Sequence, residues 1–276
     1  MLKKCITIIS LTLSLAMLGA CAQMIKPHTT VIGSPVIDRI MQQGVLVVGT
    51  AGTMPPLNMT TKEKKIIGFE IDIAEYMAAA MGVELRIEAM PFSQLMEALE
   101  SGSVDMVLSG MTITGERNLQ VAFVGPYFIS GKSFLTKQQT IANAQKASEV
   151  NSPEWTLAAL KGSTSQAFVE KAIPKANLVV TSNYDEAVAM VLNDKADALV
   201  ADHPICMVSV MRYPGKGLIA ILTRLTYEPI GIAISAGDPL LVNWVENFLN
   251  TLEGDGLLAK LKKRWFKSDW WLVELP

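Results

Sequence analysis

Val45-Leu46-Val47-Val48-Gly49 is a β-branched run that ends in glycine, the mark of a buried strand. A loop from Thr50 to Thr60 follows it, with Gly52, Pro55 and Pro56. Beyond Gly68, the spacing of Ile73, Met77 and Met81 predicts a helix that Gly82 stops. Glu84 to Ala89 alternates as a second strand. Ser93 is placed to cap a further helix to about Ser101, with Leu95, Met96 and Leu99 inward. Val104-Asp105-Met106-Val107-Leu108 is a third strand, closing at Ser109-Gly110. Strand, helix, strand, helix, strand implies a parallel sheet with helices on both faces.

The pattern repeats further on. Leu157 to Leu160 leads into Lys161-Gly162-Ser163-Thr164-Ser165 and a helix through Phe168 and Ala172. Leu178-Val179-Val180 is a strand, Tyr184 to Asn193 a helix, and Ala198 to Ala201 a strand that ends at Asp202. Two such α/β lobes leave a cleft between them. Ligands of open α/β sheets sit beyond the carboxyl ends of strands. Ser109-Gly110-Met111-Thr112 and Asp202 both fall at such ends.

The start of the chain reads differently. Lys3 and Lys4 precede an apolar run from Ile6 to Leu18. That run falls short of the roughly 20 apolar residues a membrane span needs, so residues 1–20 read as a secretory leader. Leu18-Gly19-Ala20-Cys21 resembles the bacterial lipobox, which implies lipidation at Cys21 and retention at a membrane surface. Residues 21–37 hold Pro, Thr, Gly and Ser without periodicity and read as a tether. Of the three cysteines, Cys5 and Cys21 lie in this region, so Cys206 has no internal partner and a disulfide scaffold is excluded. Two histidines argue against a histidine-based metal site, and a net charge of −2 argues against nucleic acid. Half the residues are apolar, enough for a full core.

Three segments together resemble the family-3 bacterial solute-binding proteins, the polar amino-acid receptors of ABC importers. The first is Gly44 to Thr50 with Pro55-Pro56-Leu57 and Gly68-Phe69-Glu70-Ile71-Asp72. The second runs from Gly102-Ser103-Val104-Asp105-Met106-Val107 through Gly110-Met111-Thr112-Ile113-Thr114-Gly115-Glu116-Arg117. The third is Gly125-Pro126-Tyr127. The resemblance implies a two-lobed periplasmic-binding-protein-like fold of type II. Each lobe would hold a mixed, mostly parallel sheet flanked by helices. It also implies a discontinuous first lobe, 38–131 and 228–276, and a second lobe, 132–227, with hinge strands at its borders. The segment holding Trp244, Phe248, Leu257 and Leu261 would then pack back on lobe one.

The expected ligand is a small amino acid or related solute, and each expected site residue has a physical job. A solute stripped of water must have its charges satisfied. Arg117 offers a carboxylate a planar fork of donors. Thr112 donates beside it, and Gly110 lets a ligand approach the backbone. Ser163 and Thr164 precede a helix and offer an anion site. Asp202 accepts from the ammonium. In the resembling family the matching positions hold the α-carboxylate and α-amino groups. Each has a plainer reading: a solvated charge for Arg117, a helix cap for Asp202 or Thr164. Asp72, on a charged helix face, reads as solvated or structural.

Many receptors of this kind hold the ligand side chain between two aromatics. Phe92 stands at one such position, but Met54 stands at the other, and Ala51 replaces a common acidic residue. That pattern fits an apolar or uncharged polar side chain better than a cation–π sandwich for arginine or lysine. The expected partners are the solute, ABC importer membrane subunits and a membrane reached by the lipid, with no cofactor and a monomeric chain. A rival on the same fold is a cyclohexadienyl (arogenate or prephenate) dehydratase, which needs a positioned general acid. The acidic residue that family carries shortly after the Asp202 position is replaced here by Pro204, Ile205 and Cys206. Formation of phenylpyruvate from prephenate separates the two.

Overall fold

The computed structural model describes residues 33–221 and 224–276. The leader and Cys21 lie outside the described residues. The first helix, α1 (Pro35–Gln43), begins inside the stretch expected to be a tether. Proline at its start and left-handed Gly44 at its end supply both boundaries.

Strand β1 (Val45–Thr50) opens the first sheet. Short strands β2 (Thr53–Met54), β3 (Asn58–Thr60) and β4 (Ile66–Ile67) form a small antiparallel sheet of their own. Helix α2 (Phe69–Met81) follows, then β5 (Glu84–Ala89), α3 (Leu95–Glu100) and β6 (Met106–Val107). Gly68, at φ +148°, lets this chain cross: a Cβ there would lie 2.2 Å from the Leu57 carbonyl oxygen. Ser93 caps nothing. It lies within a 3₁₀ turn, Phe92–Gln94, that Pro91 starts ahead of α3.

The third strand is shorter than its apolar run suggested. Asp105 bonds through both its backbone and its side chain: its N–H donates to the Val47 carbonyl at 2.8 Å. Its carboxylate accepts from Val47 N at 2.7 Å and pairs with Arg39. The side chain therefore replaces part of the ladder, and regular pairing begins at Met106.

Strand β7 (Val121–Ser130) leads out of this sheet to β8 (Lys132–Thr136) and a short helix, α4 (Gln139–Ala142). Strand β9 (Thr156–Leu160), α5 (Thr164–Ala172), β10 (Asn177–Thr181) and α6 (Tyr184–Leu192) follow. Next come β11 (Ala198–Asp202), α7 (His203–Arg212) and β12 (Ile219–Ala220). Strand β13 (Glu228–Ser235) returns to the first sheet, and α8 (Pro239–Gly254) and α9 (Leu257–Phe266) cover it.

The sheet orders are β5-β1-β6-β13-β7 and β10-β9-β11-β8-β12. Each has three parallel strands in second-first-third order, then an antiparallel strand. The structure is thus a two-lobed α/β fold with mixed sheets. In the second lobe successive residues serve opposite faces, as strand pleating requires. Phe134, Leu157, Ala198 and Val200 pack one cluster, while Leu135, Ala158, Leu199 and Ala201 join the other. Burial on both faces is why these strands read as continuous apolar runs.

Strands β7 and β13 pair antiparallel from Ser130↔Glu228 to Val121↔Ser235. Helix α8 buries Leu241, Val245, Leu249 and Leu252. Trp244 and Phe248 are shifted to its flank, where their rings stack 5.5 Å apart. Asp72 is structural: it accepts from Trp265 Nε1 at 2.7 Å and pairs with Arg264 at 3.3 Å, tying α2 to α9.

Candidate functional site

The loop after β6 is held from below by one carboxylate. Gly110 N donates to Glu70 Oε1 at 2.6 Å, and the Tyr127 hydroxyl donates to the same oxygen. Asn58 Nδ2 donates to Glu70 Oε2 at 2.6 Å, and Asn58 Oδ1 accepts from Gly52 N at 2.8 Å. Glu70 is fully buried. Burial raises its pKa against the pull of these donors, and burial beside Glu70 pushes the Tyr127 phenol well above its usual range.

Gly110 has a different role from the one expected. Its φ is +59°, and a Cβ there would lie 2.8 Å from Met54 Cε and 3.1 Å from Leu57 Cδ1. The space above it belongs to Met54, which is buried, so glycine serves packing and a left-handed turn instead of ligand approach. Gly110→Ala is expected to cost about 1–3 kcal/mol, combining left-handed strain with displacement of Met54. Denaturant unfolding measures it, and an unchanged midpoint would remove this account.

Arg117 lies between the lobes. Its Nη1 donates to the Thr112 carbonyl at 2.9 Å in lobe one, and its Nη2 to the Gly162 carbonyl at 3.1 Å in lobe two. The Phe92 ring lies beneath the guanidinium, 5.6 Å from its centroid. Burial lowers the Arg117 pKa, opposed first by Glu228 and then by Asp202, and the group stays cationic at neutral pH. Among the described residues no carboxylate forms an ion pair with it.

A chain of polar contacts runs from Thr112 to Asp202. Thr112 Oγ1 lies 3.3 Å from Thr164 Oγ1, which bonds Glu228 Oε2 at 3.1 Å. Glu228 lies 3.5 Å from Lys132 Nζ, which bonds Asp202 Oδ1 at 3.2 Å. Ser130 donates to the same Asp202 oxygen at 3.0 Å. Asp202 occupies the N-cap position of α7 yet makes no side-chain cap. Thr164 is not a cap either. Ser163 is the cap of α5, accepting from Gln166 N at 3.2 Å while its hydroxyl donates to the Leu160 carbonyl at 2.7 Å. The Ser163 N–H also donates to Leu160, so its donors are committed to its own loop and not to an anion site.

Glu70, Lys132 and Glu228 were missed as site residues. Glu70 was visible only inside a motif. Lys132 carried a faint signal, a single charge opening the strand Lys132-Ser133-Phe134-Leu135.

Residues 46–268 match the model of the bacterial extracellular solute-binding proteins, family 3. The chain belongs to that family. This solute-binding protein is 31% identical over 212 residues to an ABC transporter glutamine-binding protein of Bacillus subtilis, covering 74% of each chain. It is 26% identical over 255 residues to a cyclohexadienyl dehydratase of Pseudomonas aeruginosa, covering 91% of this chain and 93% of that one. A protein of Wolinella succinogenes, described as an ABC transporter binding component complexed with lysine, superposes with a TM-score of 0.78 at 38% identity. That match covers 83% of this solute-binding protein and 99% of its neighbour. Among the described residues, no helix is long and apolar enough to cross a membrane, and no cluster suited to a metal ion is present.

Proposed function

We propose that this chain is an extracytoplasmic receptor, lipid-anchored at Cys21, that binds a small amino acid or related carboxylate between its lobes and delivers it to an ABC importer. The supporting observation is Arg117. Arg117 is a half-buried guanidinium that donates to two neutral carbonyls and forms no ion pair among the described residues, and a ligand carboxylate would supply a direct counter-ion. Because the fork touches both lobes, a ligand it holds favours the closed arrangement through differential affinity. Strands β7 and β13, which join the lobes, serve as the hinge.

The dehydratase reading draws on the Pseudomonas aeruginosa relative. It lacks an acid at the required place, since Ile205 and Cys206 are apolar and buried in α7.

A thermal-shift screen of small carboxylate solutes, the twenty amino acids included, tests the receptor. A ligand at a hundredfold excess over Kd stabilises by about 2.7 kcal/mol, a rise of roughly 5–10 °C for a chain this size. Uncharged side chains are expected to shift the melting temperature more than arginine or lysine does. Nanomolar binding of arginine with little for neutral solutes would reverse the side-chain assignment, and no shift with any carboxylate would end the receptor reading.

A further inference from the structure

We infer that Glu228 is a positioning residue for the amino end of the solute site. By sharing the Lys132 ammonium with Asp202, it keeps that end negative and lets Asp202 take a ligand's ammonium. The inference rests on the receptor reading above and deepens it. It assigns the preference for an amino acid over its hydroxy counterpart to a residue that acts through Lys132 instead of touching the ligand.

Lys132 is 0% exposed, at the point where the chain enters the second lobe. Its Nζ lies 3.2 Å from Asp202 Oδ1 and 3.5 Å from Glu228 Oε2. Both carboxylates are themselves buried, Asp202 at the end of β11 and Glu228 at the start of β13. Glu228 is held firmly: Thr226 donates to its Oε1 at 2.8 Å and Thr164 to its Oε2 at 3.1 Å. Its backbone pairs with Ser130 across the two strands that join the lobes. Among the described residues, the donors that reach Asp202 are Ser130 and Lys132, and both bond Oδ1. Oδ2 is left for a ligand.

Charge accounting gives Glu228 its role. One ammonium faces two carboxylates, so the cluster keeps a net negative charge that a ligand ammonium can meet. Arg117 pairs with neither carboxylate and donates instead to Thr112, whose hydroxyl lies 3.3 Å from that of Thr164. The cleft thus presents a cation at one end and a net anion at the other. Without Glu228 the second end changes. Lys132 and Asp202 would form a closed one-to-one pair. A ligand ammonium would then be stripped of water for an anion already neutralised, a poor exchange in a buried site.

A ligand hydroxyl is neutral and donates to Asp202 Oδ2 whatever the net charge of the cluster. Glu228 therefore separates the two head groups. A purely structural Glu228, serving only to satisfy a buried lysine, would not separate them: its loss would weaken an amino acid and its 2-hydroxy counterpart alike.

Isothermal calorimetry on matched pairs tests the assignment. Each pair holds an L-amino acid and its 2-hydroxy acid, and the pairs span small, branched and aromatic side chains. The wild-type chain is expected to favour the amino acid of its best pair by roughly tenfold or more. Glu228→Gln keeps the shape and removes the charge, and is expected to cut that ratio by roughly tenfold. Adding Lys132→Met removes one charge of the opposite sign. The double variant regains the wild-type net charge and is expected to recover most of the ratio. A folded Glu228→Gln chain with the wild-type ratio would overturn the inference, even if both ligands bind more weakly. So would a double variant in which the lost ratio does not return. Should Glu228→Gln not fold, Lys132→Met alone decides: it leaves two carboxylates without their lysine, and the ratio is expected to rise by roughly threefold or more. A ratio unchanged or lowered there would overturn the inference. The two levels fail differently. A wild-type chain that binds neither member of any pair ends the receptor reading and this inference with it, whereas one that favours the hydroxy acid leaves the receptor standing and removes only the role of Glu228.

Discussion

Arg117→Ala is expected to weaken carboxylate binding by roughly a hundredfold to a thousandfold, about 3–4 kcal/mol. The magnitude follows from the fork. Two charge-assisted hydrogen bonds contribute about 1.5–3 kcal/mol each, and the variant loses both. Lys132 cannot substitute, because its ammonium is committed to Asp202 and Glu228. Arg117→Lys restores charge without the planar fork and is expected to fall between, at roughly a tenfold loss. Calorimetry with the best ligand from the screen gives the numbers, and the melting temperature of the ligand-free variant serves as control. Arg117 opens a short 3₁₀ turn, Arg117–Leu119, and its side chain donates to two backbone carbonyls, so that temperature should move little. A variant that melts normally and binds at full strength would show that Arg117 is a bystander.

The proposed receptor couples binding to closure through its two lobes. Arg117 reaches Thr112 in one lobe and Gly162 in the other, and Thr112 reaches across to Thr164. In the proposed receptor, the groups assigned to the solute are therefore also groups that make contacts between the lobes. On that reading affinity and closure draw on the same few donors, so a loss at Arg117 is expected to weaken both.

The elements were legible where a local pattern decides them. Helix α2 follows from Ile73, Met77 and left-handed Gly82, and β5 from strict alternation. Strands β9 and β11 read as apolar runs because both their faces are buried. The contact between Arg117 and Thr112 was legible because both stand in one unbroken motif. What escaped is pairing at long range. Lys132 and Asp202 are 70 residues apart, and Glu70 and Gly110 are 40 apart. Charge alone does not say which partner a buried side chain will find. The roles of Gly110 and Ser163 shifted for a related reason. Each residue type suited a ligand contact, yet Met54 occupies the space over one and Leu160 takes the donors of the other.

Glu70→Ala is expected to destabilise the fold by roughly 4–6 kcal/mol, a large share of the about 5–15 kcal/mol that holds a typical domain together. Three buried donors lose their acceptor at once: the Tyr127 hydroxyl, Gly110 N and Asn58 Nδ2. Each orphaned group costs about 1–3 kcal/mol. Glu70→Gln keeps the volume, but one carbonyl oxygen accepts at most two of the three donors, and its amide opposes the Asn58 amide. A loss of about 1–3 kcal/mol is expected there, softened because a buried charge with no ion-pair partner among the described residues disappears. The pH dependence separates charge from shape. Burial raises the Glu70 pKa, so the native state holds this proton more tightly than the unfolded chain does. The contribution of this group to stability therefore rises as pH falls through the raised folded-state pKa, and levels off below the ordinary carboxylate range. Glu70→Gln should remove that slope. Both variants should also bind solute more weakly without touching it, because Gly110 and, through Asn58, Gly52 lose their anchor. Urea unfolding at several pH values reads the stabilities. A Glu70→Ala chain as stable as wild type would mean that the two loops are held by packing, not by this carboxylate.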